Sequence, residues 1–164
     1  MSHSCHHQHH VHQDDPAVRL TQAKAHCESR GVRFTPLREE VLSLILSADR
    51  PLGAYDLISA LQRSRHATDS QKSKNIAPPT IYRSLEFLLN EGLIHQLSSI
   101  NAYVPCCHPR LEHAAAFLIC TKCHSVEECS NLPVQAVIDF AKNDAGFAIE
   151  RSTIEFKGIC RACQ

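Results

Sequence analysis

Leu37, Val41, Leu44, Ile45 and Ala48 recur at three- and four-residue steps, the spacing that gathers side chains on one face of a helix. Thr35 stands before them as a capping oxygen and Pro36 at the first helical position, which predicts where that helix starts. It ends in the Asp49–Gly53 run. An earlier helix spans about Ala17 to Arg30 and stops at Gly31, a usual helix stop. A third, about Ala54 to Arg65, turns Leu57, Ile58 and Leu61 inward. The polar stretch 66–77 closes at Pro78-Pro79, and a fourth helix continues to about Asn90. Its Ile81, Leu85, Leu88 and Leu89 share one face, leaving Tyr82, Arg83 and Glu86 on the other. Two short apolar runs, Leu93–Leu97 and Ala102–Pro105, flank Ser98-Ser-Ile-Asn101 and predict a β-hairpin. Helices followed by such a hairpin predict a winged helix-turn-helix.

The pattern changes in the second half. Ala114–Ile119 and Ser125–Cys129 read as strands, and Pro133–Asp144 as a helix with Val134, Val137, Ile138 and Ala141 on one face. Phe147–Lys157 reads as a long strand. The expected fold class is therefore α+β: an N-terminal winged-helix domain over residues 17–105, a hinge at 106–109, and a small α/β domain over 110–164. Residues 1–16 show neither a strand nor a helix period. They hold six histidines (3, 6, 7, 9, 10 and 12) and Cys5, and are expected to be a disordered, His-rich tail.

Composition narrows the function. Lys plus Arg and Asp plus Glu are 17 each, so any nucleic-acid binding has to come from a local patch. No apolar run approaches the ~20 residues that span a bilayer, and the N-terminus carries no apolar signal core. A cytoplasmic protein without membrane partners is expected. Nine cysteines, an odd number, argue against a disulfide framework and toward metal binding.

The spacing of those cysteines carries the strongest chemistry. Cys120-x-x-Cys123 and Cys160-x-x-Cys163 supply four thiolates, the donor set of a closed tetrahedral zinc site. Local disulfides or a redox pair are the competing readings, but a redox motif needs only one such knuckle. The 36 residues between the knuckles require a small domain to fold between them. A second set is looser: His95 and Cys106 on the two hairpin strands, His113 just before the next strand, and Glu128 on its neighbour. Such a set bridges the two domains. Zinc on four thiolates carries a net charge of −2; on two neutral imidazoles, one thiolate and one carboxylate it carries 0. The second site should exchange its ion more readily, as a sensor must. Cys107, His108, His124 and Glu127 are nearby substitutes, and Cys27 and Cys129 are expected to be small buried apolar residues.

For DNA, the fourth helix is the candidate groove reader, with Thr80, Tyr82 and Arg83 at its N-terminal end. Residues 60–85 hold Arg63, Arg65, Lys72, Lys74 and Arg83 against Asp69 alone, a local phosphate-binding patch.

Several segments together resemble the ferric uptake regulator (Fur) family, and within it the zinc uptake regulator (Zur) branch: 33–38 (RFTPLR), 54–57 (AYDL), 78–83 (PPTIYR), 90–95 (NEGLIH), 103–106 (YVPC) and both cysteine knuckles. The resemblance implies an N-terminal winged helix, a C-terminal dimerisation domain, and metal-dependent binding of a homodimer to palindromic operator DNA. It implies structural zinc on Cys120, Cys123, Cys160 and Cys163, regulatory zinc on His95, Cys106, His113 and Glu128, hence two zinc ions per subunit. It makes Tyr55 and Arg83 base-contact candidates. The expected function is repression of zinc-uptake genes when zinc is bound. The His-His-Asp-His run of iron-sensing members is absent, the segment here being Leu111-Glu-His-Ala114, which disfavours iron or peroxide sensing; an iron, manganese or peroxide sensor of the same family is the alternative. A zinc enzyme is disfavoured because both candidate sites have four ligands and leave no open position, so neither catalysis nor a small-molecule substrate is expected. A zinc storage or delivery protein would suit the tail but leaves the DNA-reading half unexplained.

Overall fold

A computed structural model describes residues 15–68, 76–107, 109, 115–129, 135–149 and 152–164. The His-rich segment, Lys72, Lys74, His108 and His113 lie outside these described residues.

Four helices come first: α1 (Pro16–Ser29), α2 (Pro36–Leu46), α3 (Ala54–Thr68) and α4 (Pro78–Asn90). Asp15 caps α1, its side chain accepting from the Ala17 N–H, so the helix starts one residue earlier than Ala17. Thr35 caps α2 as expected, and Pro36 occupies its first turn, where a missing N–H costs nothing. Ile81, Leu85 and Leu88 of α4 are buried together with Val41, Leu42 and Ile45 of α2 and Leu57 and Leu61 of α3. Arg38 of α2 sits over the Phe87 ring of α4 at 3.5 Å, a cation–π contact that ties the two helices at the rim of this core.

The hairpin follows: β1 (Ile94–Leu97) and β2 (Ala102–Pro105), antiparallel, with His95 opposite Val104. Its residues serve two cores. Ile94 and Tyr103 pack with the helices, whereas Leu97 and Val104 pack against Phe117 and Ile119 of the second sheet. That sheet has the order β4-β3-β5, built from β3 (Ala115–Cys120), β4 (Val126–Cys129) and β5 (Thr153–Gly158). β3 pairs antiparallel with β4 and parallel with β5.

Three expectations for the second half need correction. The long strand over 147–157 is shorter: 147–149 carry no regular structure, and pairing with β3 covers only Thr153–Gly158. The predicted helix is α5 (Gln135–Asp139), which widens into a π-helical turn over Phe140–Asp144 before Gly146 at φ +65°. Its apolar stripe is only partly buried: Val137 is 60% exposed, Ile138 and Ala141 are half-buried, and Val134 lies outside the described residues. Cys129 is only half-buried, because it lies on edge strand β4 on the side of the sheet away from the hairpin. No helix among the described residues is long and apolar enough to cross a membrane.

Candidate metal centres and nucleic-acid face

Cys120 ends β3 and Cys123 lies in the turn that follows; Cys160 precedes and Cys163 ends a short 3-10 turn after β5. Because β3 and β5 run parallel, with Cys120 in register with Gly158, their C-terminal ends bring both knuckles to one place. The four sulfurs lie within 4.8 Å of one another, and Cys123 Sγ is 3.7 Å from Cys160 Sγ. That sulfur separation is far too long for a disulfide bond and close to the ~3.8 Å edge of a tetrahedron with ~2.3 Å zinc–sulfur bonds. Backbone N–H groups stabilise thiolates here: those of Cys123, Cys160 and Lys122 direct toward Cys120 Sγ and pull its thiol down to about 5. The Ser125 hydroxyl and backbone lower Cys123 in the same way. Cys163, which shares protons with Cys160 and Cys123, is pushed up to about 12. The cluster thus assembles negative charge that a divalent cation would neutralise, deprotonating the remaining thiols as it binds.

The second cluster forms where hairpin and sheet meet. One ligand atom each from His95, Cys106 and Glu128 falls within 4.8 Å of the others, and all three residues are buried or half-buried. His95 Nε2 is 3.7 Å from Glu128 Oε1. Imidazole, thiolate and carboxylate form a mixed donor set that suits zinc and disfavours hard ions such as Mg²⁺. The His95 ring meets the Phe117 ring edge-on at 5.3 Å, which fixes its tilt toward the sheet. His113, the fourth expected ligand, lies outside the described residues.

Register explains which acidic residue takes part. Glu128 is opposite Phe117 and shares its hairpin-facing side, whereas Glu127 is opposite Leu118 on the other side. Glu127 is therefore exposed and absent from the cluster, as is His124. Cys107 contributes differently: its backbone N–H donates to Glu128 Oε2 at 3.2 Å. Burial pushes the Cys107 thiol well above the ordinary range, and its hydrogen bond to Glu128 adds to this. One contact lay beyond the sequence patterns. Arg19 Nη2 of α1 donates to the Cys106 carbonyl at 2.7 Å, anchoring a ligand-bearing residue to the first helix.

The candidate DNA residues are at the surface. Thr80, Tyr82 and Arg83 are exposed along α4, and Tyr55 at the start of α3 is 71% exposed. The basic patch is smaller than the charge count suggests. Arg65 is tied by Nε and Nη2 to the Glu40 carboxylate at 3.0–3.3 Å, joining α3 to α2.

A model of the ferric uptake regulator family matches residues 29–157. The chain is 40% identical over 146 residues to the zinc uptake regulation protein of Escherichia coli (strain K12), covering 88% of this chain and 80% of that one. Among solved structures, a zinc uptake regulator complexed with zinc and DNA superposes with a TM-score of 0.79 at 36% identity, over 90% of this chain and 94% of that one. Holo XcZur superposes at 0.74 over 91% and 98% of the two chains. Apo XcZur, at the same 36% identity and over 92% and 98%, reaches only 0.51.

Proposed function

From the premise that this chain belongs to the ferric uptake regulator family, we propose that it is a zinc-responsive repressor which binds operator DNA as a homodimer and shuts off zinc uptake. The observation that carries the reading is the mixed cluster: His95 and Cys106 come from the wing hairpin, and Glu128 from the second sheet. An ion held there ties the DNA-reading half to the other half. Zinc supplies the electrophilic centre; the chain's residues supply its selectivity and the mechanical link. His113 would complete the four-ligand set, and the thiolate cluster would hold a second, structural ion, giving two per subunit. The superposition on a holo regulator rather than its apo counterpart supports the same reading, since the described arrangement is nearer the holo form.

Operator recognition assigns Arg83 and Tyr55 to base contacts, with Thr80 and Tyr82 beside them on the reading face. Subunit pairing falls to the second half. Leu118 and Phe156 are in register on the side of the sheet turned away from the hairpin, and they are 42% and 50% exposed. Val137, Phe140 and Phe147 are exposed as well. So much apolar surface in a small domain is what a subunit interface covers. A palindromic site needs both reading heads at fixed separation. Without zinc the heads sample many separations; with it they hold one.

The test is a zinc titration of operator affinity for wild type and Cys106→Ser. The variant should keep the fold, the dimer and the thiolate-bound zinc, and lose operator binding at zinc levels that saturate the wild type. A coupling of ~5–150-fold is usual for such switches. Coincident titration curves would remove His95, Cys106 and Glu128 as the sensor.

A further inference from the structure

The row of residues that crosses the sheet at Phe117 carries a second attachment besides the metal cluster. Phe117 is in register with Glu128 on β4 and with Glu155 on β5. Paired positions share a face, so both carboxylates stand on the hairpin side of the sheet, one on each flank of Phe117. Glu128 reaches the metal ligands. Glu155 reaches the tip of the hairpin, where Oε1 accepts from the Ser98 N–H at 2.7 Å and Oε2 from the Ser99 N–H at 3.1 Å. Two residues along the same face of β5, Lys157 Nζ donates to the Ser99 carbonyl at 3.0 Å.

The tip is built to receive such a group. Within the turn, the Ile100 N–H bonds to Leu97 O and the Asn101 N–H to Ser98 O, with Asn101 at φ +50°. The two preceding N–H groups, of Ser98 and Ser99, point outward together, and successive backbone N–H groups in a turn form an anion-binding concavity. A carboxylate with one oxygen on each donor is a bidentate, charge-assisted fit, stronger than either bond alone.

We propose that Glu155 and Lys157 are positioning residues for operator binding: they clip the wing tip to β5, so that the sheet holds the hairpin at both ends. The metal cluster holds the base through His95, Cys106 and Glu128. The clip holds the tip, about three strand residues or ~10 Å further along β1. With the tip held, the hairpin cannot pivot about the ion, and zinc binding fixes the reading head instead of merely tethering it. This rests on the zinc-responsive reading given above.

Two measurements on the full-length protein, wild type and Glu155→Gln, decide it. The first is amide hydrogen exchange at Ser98 and Ser99. The neutral side chain cannot accept two N–H bonds through two charged oxygens, so exchange there should rise by roughly three- to tenfold, with helix-core amides unchanged. The second is the zinc concentration for half-maximal binding to a duplex selected by the zinc-loaded wild type from a random-sequence pool. It should rise severalfold in Glu155→Gln while thiolate-site zinc and dimer content stay constant. Lys157→Arg, which keeps a donor, should stay near wild type; Lys157→Gln should shift in the same direction as Glu155→Gln. Unchanged exchange at Ser98 and Ser99 would overturn the clip. Unchanged zinc dependence would overturn its positioning role. Tighter DNA binding by Glu155→Gln at every zinc level would also overturn it, showing that the carboxylate covers a phosphate-binding turn. If the wild type itself shows no zinc-dependent DNA binding, the regulator reading fails, and the exchange rates still report whether the clip forms.

Discussion

At the scale of single residues, what a side chain can do depends on which side of the sheet it stands. Glu127 and Glu128 are chemically identical neighbours, yet only Glu128 shares the hairpin-facing side with Phe117 and joins His95 and Cys106. The sequence alone left these two as alternatives, because strand periodicity assigns opposite faces without saying which face meets the wing. The four-thiolate cluster was fully legible, since paired C-x-x-C spacing restricts the chemistry whatever the fold between them. Arg65 was misread from charge alone: the Glu40 partner that neutralises it is 25 residues away in the chain. Arg83, exposed on α4, is the proposed base reader. Arg83→Ala should cost ~1–3 kcal/mol and relax preference at one base pair. Competition binding against a set of single-base operator variants checks this. Undiminished discrimination would move the reading role off α4.

Among the elements, the helices were the most legible and the second half the least. The α4 pattern predicted its buried face because Ile81, Leu85 and Leu88 pack inside the same chain. Leu88 is fully buried between helices, so Leu88→Ala should lower unfolding stability by ~2–5 kcal/mol, read by denaturant melts. A loss below ~1 kcal/mol would mean that this core relaxes around the gap. The stripe on α5 is equally regular but leaves Val137 exposed. An apolar period shows that a face will be covered and not what covers it; a second subunit satisfies it as well as a core does. The hairpin was legible as a hairpin but not as a shared element. Its Leu97 and Val104 serve the second sheet, and no local pattern states which partner a strand's second face meets.

For the molecule as a whole, two candidate ligand clusters of different charge and burial predict two responses to chelation. A mild chelator should empty the mixed cluster first and abolish operator binding while the dimer persists. A stronger one should strip the thiolate cluster and unfold or dissociate the second half, because binding energy there is folding energy. Native mass spectrometry, scored for zinc and subunit number during the titration, reads both steps. Loss of the dimer together with the first ion would contradict the division of labour. The His-rich segment, outside the described residues, is proposed as a zinc buffer that stands apart from the switch. Removing residues 1–15 should leave the zinc dependence of operator binding unchanged, and a flattened titration would make the segment part of the sensor.

The parallel pairing of β3 with β5 has a consequence for how the chain folds. Antiparallel β3 and β4 are joined by a short turn and can pair early, whereas β5 must return from beyond α5 to lie beside β3. Only then do Cys160 and Cys163 meet Cys120 and Cys123. Closing a contact across so long a stretch of chain is entropically slow compared with local helix formation. Zinc capture by all four thiolates therefore timestamps the last docking step of the sheet. In a refolding experiment it should trail the helical signal and coincide with the docking of β5, so that a nascent subunit commits to its ion only after its helices exist.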